Sequence, residues 1–82
     1  MIDYKGGLVE GSADLQTSVA GVEILSEAYV NFEMINDADC HVKINSGDYI
    51  FIRASQGIAI NYIKSLKIEE GAITFNWIGT RA

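Results

Sequence analysis

Residues 39–53 read Asp39-Cys40-His41-Val42-Lys43-Ile44-Asn45-Ser46-Gly47-Asp48-Tyr49-Ile50-Phe51-Ile52-Arg53, and this stretch decides the fold class. Cys40, Val42 and Ile44 alternate with His41 and Lys43, a period of two that places the apolar side chains on one face of a strand and the polar ones on the other. Asn45-Ser46-Gly47-Asp48 follows, a cluster of residues that accept left-handed backbone or bond their own main chain, and so reverses the chain direction. Tyr49-Ile50-Phe51-Ile52 is then apolar on both faces, with Tyr49 and Phe51 opposite Ile50 and Ile52, as expected of a strand covered on both sides. Together these segments read as a β-hairpin.

Working outward, Val30, Phe32 and Met34 alternate with Asn31 and Glu33, and Asn36-Asp37-Ala38-Asp39 turns the chain into Cys40. Downstream, Leu66 and Ile68 alternate with Ser65 and Lys67, and Ile73, Phe75 and Trp77 alternate with Thr74 and Asn76. The link between them, Glu69-Glu70-Gly71-Ala72, carries a glycine suited to a tight turn, so 64–77 reads as a second hairpin with Leu66 and Ile68 facing Phe75 and Trp77. Four or five antiparallel strands are thus spelled out over residues 29–79.

The first third carries two competing patterns. Leu15, Val19 and Val22 have the spacing of an amphipathic helix with Ser12 as its N-cap. Thr17, Ser18, Val19 and Gly21 are poor helix formers, however, and strands over 15–19 and 22–25 agree better with the rest of the chain. Residues 1–10, with Gly6 and Gly7 among them, read as an N-terminal arm or edge strand, and residues 11–82 as a single β domain. The expected class is all-β: a small antiparallel β-sandwich or barrel built from consecutive hairpins.

Composition narrows the function. With 82 residues the chain can enclose one core, and 49% hydrophobic against 21% charged residues is the balance of a folded protein. Cys40 is the single cysteine, so no disulfide can form within the chain, and zinc-ligand spacing is absent. Small domains lacking both staples gain stability by association. A net charge of −5 repels phosphate backbones and anionic lipid, which argues against nucleic-acid and membrane partners. No stretch approaches the roughly 18 apolar residues of a membrane helix, and residues 1–7 lack the apolar core of a signal peptide, so the expectation is synthesis in the cytoplasm with retention there or release by lysis.

No pattern of residues points to catalysis. His41 is the single histidine, and its neighbour Cys40 points to the other face of the strand, so the two cannot act together as base and nucleophile. Asn36, Asp37 and Asp39 offer oxygens in the manner of a calcium loop but lack its downstream glycine and glutamate, and turn chemistry accounts for them. Glu69 and Glu70 read as a solvated turn. No cofactor and no metal is expected. The aromatic residues Tyr4, Tyr29, Tyr49, Tyr62 and Trp77 are the remaining candidates, as a stacking platform or a protein contact. Tyr49, Phe51, Trp77 and Tyr29 are the expected interaction residues, because a strand that is apolar on both faces needs a neighbour on both.

The succession Asp39-Cys40-His41-Val42-Lys43-Ile44-Asn45-Ser46-Gly47, then Tyr49-Ile50-Phe51-Ile52-Arg53-Ala54, Ser65-Leu66-Lys67-Ile68 and the closing Phe75-Asn76-Trp77-Ile78-Gly79 resembles small virion proteins of tailed bacteriophages and prophages of Gram-positive bacteria. In these a polar V-x-I-N-G/S-G hairpin precedes an apolar strand and a terminal Y/F-x-W-x-G strand. The resemblance covers about residues 28–79 and is a pattern of turns and strands. It implies a non-enzymatic structural part of a head, neck, tail or fibre, present in many copies as a homo-oligomer, with other copies of itself and other virion proteins as partners, and with the virion as its location. Two further expectations stand beside it: a carbohydrate- or cell-surface-binding β module, and a small regulator or inhibitor offering an edge strand to a host protein.

Overall fold

The computed structural model describes residues 9–12 and 14–82, and every regular element among them is a strand. One antiparallel sheet is built from β1 (Val9–Gly11), β2 (Gln16–Thr17), β3 (Tyr29–Asn36), β6 (Ile58–Ile63) and β8 (Thr74–Arg81), in the order β1-β8-β3-β6 with β2 also paired to β8. The other has the order β5-β4-β7, with β4 (Cys40–Ile44) between β5 (Tyr49–Ile52) and β7 (Leu66–Ile68). The two sheets enclose a single core. Phe32, Met34, Ile63 and Phe75 from the first meet Cys40, Val42, Ile52, Leu66 and Ile68 from the second, with Leu25, Tyr29 and Ile73 completing it. The architecture is therefore the expected all-β pair of antiparallel layers.

The connections differ from a run of hairpins. The β4–β5 hairpin forms as read, pairing Cys40 with Ile52 and Val42 with Ile50, and Asn45 takes the left-handed backbone that its turn requires. Every other link from β3 to β8 crosses between sheets. In particular 64–77 is not a hairpin: β7 pairs with β4 and β8 pairs with β3. Leu66 and Ile68 still share a core with Phe75, but as opposing layers rather than as neighbouring strands. Ser18 holds the crossing open, since its Oγ accepts the Ile73 N–H at 2.9 Å and donates to the Glu70 carbonyl at 2.8 Å.

Three further expectations are corrected. The strand reading of 15–25 holds only in part: among the described residues of 12–25 there is no helix, but β2 is confined to Gln16–Thr17 and 22–25 forms no strand, the apolar side chains Leu15, Val19 and Val22 are exposed, and the backbone N–H groups of Gly21 and Ile24 donate to Ile68 and Leu66, laying this segment along β7. Ser12, read as a possible N-cap, accepts the Trp77 N–H through its Oγ instead. In β3, a bulge at Asn31, which has φ 51°, shifts the register against β8, so Tyr29 rather than Val30 joins Phe32 and Met34 inside. Asn36 is no solvated turn residue. It ends β3 fully buried, and its Nδ2 donates at 2.8 Å to the carbonyls of both Ala38 and Arg53 while its Oδ1 accepts the Gly57 N–H at 2.9 Å. One side chain thereby ties the β3–β4 corner to the β5–β6 corner. Gly57 completes the tie with a positive φ of 67°, and a Cβ there would collide with the Met34 carbonyl oxygen.

The N-terminal arm expected over 1–10 lies outside the described residues as far as Leu8. Val9 and Glu10 belong to β1, whose pairing with β8 places Glu10 against Arg81 and beneath the Tyr29 hydroxyl, which donates to it at 2.7 Å.

Candidate interaction surface

The strand that reads as apolar on both faces lies at a sheet edge. Among the described residues β5 pairs with β4 alone, and the backbone N–H and C=O groups of its other side meet no described strand. Its register places Ile50 opposite the buried Val42 and Ile52 opposite the buried Cys40, which makes Ile50 and Ile52 the core-facing pair. Ile52 is 2% exposed, but Ile50 is 48% exposed. The core thus opens to solvent along this edge. β6, the outer strand of the larger sheet, lies on the same flank, because the short link 53–57 joins it to β5 and the Asn36 side chain clamps that link. Its Ile58 and Ile60 pack on the core while only partly buried, and Tyr62 is half exposed.

On the other face of β5, Tyr49 and Phe51 have cross-strand partners. Lys43 Nζ lies 5.3 Å from the centre of the Tyr49 ring, and the rings of His41 and Phe51 are 5.4 Å apart. Phe51 remains 52% exposed.

The four expected interaction residues separate accordingly. Tyr49 and Phe51 lie together on the open flank. Trp77 is half-buried, its ring stacked on Phe32 at 5.6 Å and set edge-on to Tyr29 at 5.0 Å. Tyr29 is 3% exposed, a core residue withdrawn from any contact surface by the Asn31 bulge. Burial together with the Glu10 carboxylate raises the Tyr29 pKa. Tyr4 lies outside the described residues. Sequence reasoning missed Ile50 as an uncovered residue, since alternation shows which face a side chain takes and not whether its strand has a neighbour.

A second apolar area lies on the outer face of the larger sheet. Val9, Ile35 and Ile78 are each more than half exposed around a groove of about 600 Å³. Gly11 shapes it, because a Cβ at that position would lie 2.5 Å from the Trp77 carbonyl oxygen and the strand can approach β8 only without one.

His41 and the two glutamates form a cluster that local sequence does not reveal. His41 Nδ1 lies 2.6 Å from Glu70 Oε2 and 3.7 Å from Glu69 Oε1, and the His41 backbone N–H donates to Glu70 Oε1 at 2.8 Å. Glu70 is therefore a structural partner of β4 rather than part of a solvated turn. The imidazole and the two carboxylates could ligate a metal ion, but the ion pair with its backbone bond already accounts for their positions. Cys40, adjacent in sequence, is buried on the opposite face, where burial pushes its thiol pKa up.

Hydrogen bonding to Glu70 raises the His41 pKa above its ordinary 6.5, and the bond from the His41 backbone helps to lower that of Glu70 below 4.5. The raised histidine contributes stability that is complete below 6.5 and lost as pH rises through the higher folded value. The lowered carboxylate contributes stability that is present above 4.5 and lost as pH falls through the lower folded value. Thermal midpoints are accordingly expected to fall as pH rises above about 6.5 in the native chain and to vary less over that range in His41→Gln. Equal slopes in the two proteins would show that the pair contributes nothing.

Among the described residues, no helix is long and apolar enough to cross a membrane. No family model, curated protein or solved structure matches the chain.

Proposed function

We propose that the chain is a non-catalytic structural subunit of a larger assembly, and that the assembly is a virion of the tailed-phage type. The observation that carries the reading is the open flank: a core-facing isoleucine, Ile50, stands half exposed on an edge strand that, among the described residues, pairs with β4 alone. A domain of this size without disulfides has little stability to spare, and covering such an edge is how association supplies more. The apolar groove beside Val9, Ile35 and Ile78 offers a second contact area on a different face, as a subunit with more than one neighbour requires. The resemblance of residues 28–79 to small virion proteins supplies the kind of assembly, with other copies and other virion proteins as partners and the particle as its location.

A saccharide platform has less support, since the Trp77 ring is stacked on Phe32 and edge-on to the buried Tyr29 instead of joining an exposed row.

The test is mass spectrometry of particles sedimented from an induced culture of the source strain. The chain is expected in the particle fraction in multiple copies. Recovery in the soluble fraction alone would overturn the proposal.

A further inference from the structure

The link between β7 and β8 is tied down by bonds that hold its two glutamates beside the only histidine of the chain. The Glu69 N–H donates to the His41 carbonyl at 2.9 Å, the His41 N–H donates to Glu70 Oε1 at 2.8 Å, and the Ser18 hydroxyl donates to the Glu70 carbonyl at 2.8 Å. The backbone is thus fixed at all three residues without use of the imidazole or the Glu69 carboxylate. On this frame His41 Nδ1 and one carboxylate oxygen from each glutamate lie within 4.8 Å of one another. Two carboxylates face one imidazole, so the cluster stays negative whether or not the ring carries a proton. Among the described residues neither glutamate is paired with a lysine or arginine, and Lys43, two residues along β4, sits over the Tyr49 ring instead.

We infer that His41 Nδ1, Glu69 and Glu70 together bind one divalent transition ion, for which zinc is the probe, with water completing its coordination. Nitrogen and oxygen ligands about 2.0–2.2 Å from a tetrahedral zinc ion stand roughly 3.4 Å from one another. The 3.7 Å between Nδ1 and Glu69 Oε1 is close to that spacing, and the 2.6 Å between Nδ1 and Glu70 Oε2 reaches it by opening under about 1 Å. In the metal-free chain the ion pair holds the donors together, and an ion entering between them takes the place of the shared proton. That proton leaves to solvent, because a metal binds the neutral imidazole. The bond from the His41 backbone to Glu70 Oε1 orients the carboxylate as outer-shell bonds orient metal ligands. Imidazole with carboxylate suits zinc and its neighbours, whereas magnesium and calcium prefer a shell of oxygens alone. Bound there, the ion staples β4 to a link 29 residues further along, in a chain whose single cysteine cannot form an internal disulfide. The cluster lies on the face of β4 opposite the buried Cys40, and the inference is independent of the assembly reading.

The experiment is calorimetric titration of the full chain with zinc chloride, with magnesium chloride in parallel, and proton–nitrogen spectra of the imidazole. His41 is the single histidine, so the ring signals belong to it alone. One zinc ion per chain is expected, with a dissociation constant below about 100 μM, movement of the His41 ring signals and a higher unfolding midpoint. Magnesium at the same concentrations is expected to leave the ring signals in place. The Glu69 side chain is more than half exposed, so Glu69→Gln is expected to unfold at the native midpoint in the presence of chelator and to bind zinc roughly tenfold more weakly or worse. His41→Gln is expected to lose binding altogether. Asp48→Asn, at the opposite end of the β4–β5 hairpin, is expected to bind as the native chain does. No saturable binding up to about 1 mM zinc would overturn the inference. So would binding that leaves the His41 ring signals unmoved or that survives Glu69→Gln undiminished, either of which would mean an adventitious ion only.

Discussion

Asn36→Ala is expected to lower the unfolding free energy by about 4 kcal/mol, a large part of what a domain of this size commonly has. Its side chain is fully buried and makes three hydrogen bonds, to Ala38, Arg53 and Gly57, at positions as distant in the chain as 21 residues. Alanine removes all three, stranding a backbone donor and two carbonyls at the junction of two corners. Each orphaned group costs on the order of 1–3 kcal/mol, with carbonyls that retain another partner at the low end. Denaturant unfolding at fixed protein concentration measures the loss, and a value below about 1 kcal/mol would show that the clamp is dispensable. Asn36→Asp sharpens the test. A carboxylate would face two carbonyl oxygens, so the folded state favours its protonated form, which can donate one bond. That raised pKa makes the variant most stable in acid and progressively less stable as pH rises.

Phe32→Ala is expected to cost a similar amount, about 4 kcal/mol, by a different route. The Phe32 ring has no exposure; it lies against Trp77 and Tyr29, and its approach to β8 depends on Gly79, where an added Cβ would come within 3.1 Å of both Phe32 and Tyr29. Truncation removes the largest fully buried side chain and leaves a cavity between two rigid strands that cannot close around it. Trp77 fluorescence reports the change, since its indole loses the ring on which it stacks. By contrast, Phe51→Ala on the open flank is expected to alter the stability of the dilute chain by less than about 0.5 kcal/mol. Equal costs for the two phenylalanines would contradict the division between core and contact surface.

These residues also mark how far the fold could be read from the chain. Phe32 was legible as a core residue because period-two alternation reports which face a side chain takes. The β4–β5 hairpin was legible because its turn residues and its alternation agree. Alternation does not choose a strand's neighbour, and β7 and β8, close in sequence and both apolar on alternate positions, read as a hairpin although their ladders run to β4 and β3. Asn36 shows the same limit in a polar residue: asparagine suits a turn, and only the fold reveals that its remaining hydrogen bonds reach Arg53 and Gly57. Tyr29 was placed outside because a single left-handed residue, Asn31, reverses the alternation that precedes it. The His41–Glu70 pair joins residues 29 apart and has no local signal at all.

Of the candidate site, the apolar character of Tyr49–Ile52 was legible and its position was not. A strand apolar on both faces reads as a central one, yet β5 is an edge. That difference turns an ordinary core strand into the surface from which the assembly reading follows. It also separates two uses of apolar residues in one small chain: those that the two sheets enclose, and those that the enclosure leaves open at Ile50 and Phe51.

Amide hydrogen exchange across β5, followed as a function of protein concentration, tests the central claim most directly. If the open flank is a contact between copies of the chain, protection at Tyr49–Ile52 rises with concentration while that of β3 and β8, already paired within the chain, changes little. Exchange at Tyr49–Ile52 that stays equally fast from dilute to concentrated solution would contradict it.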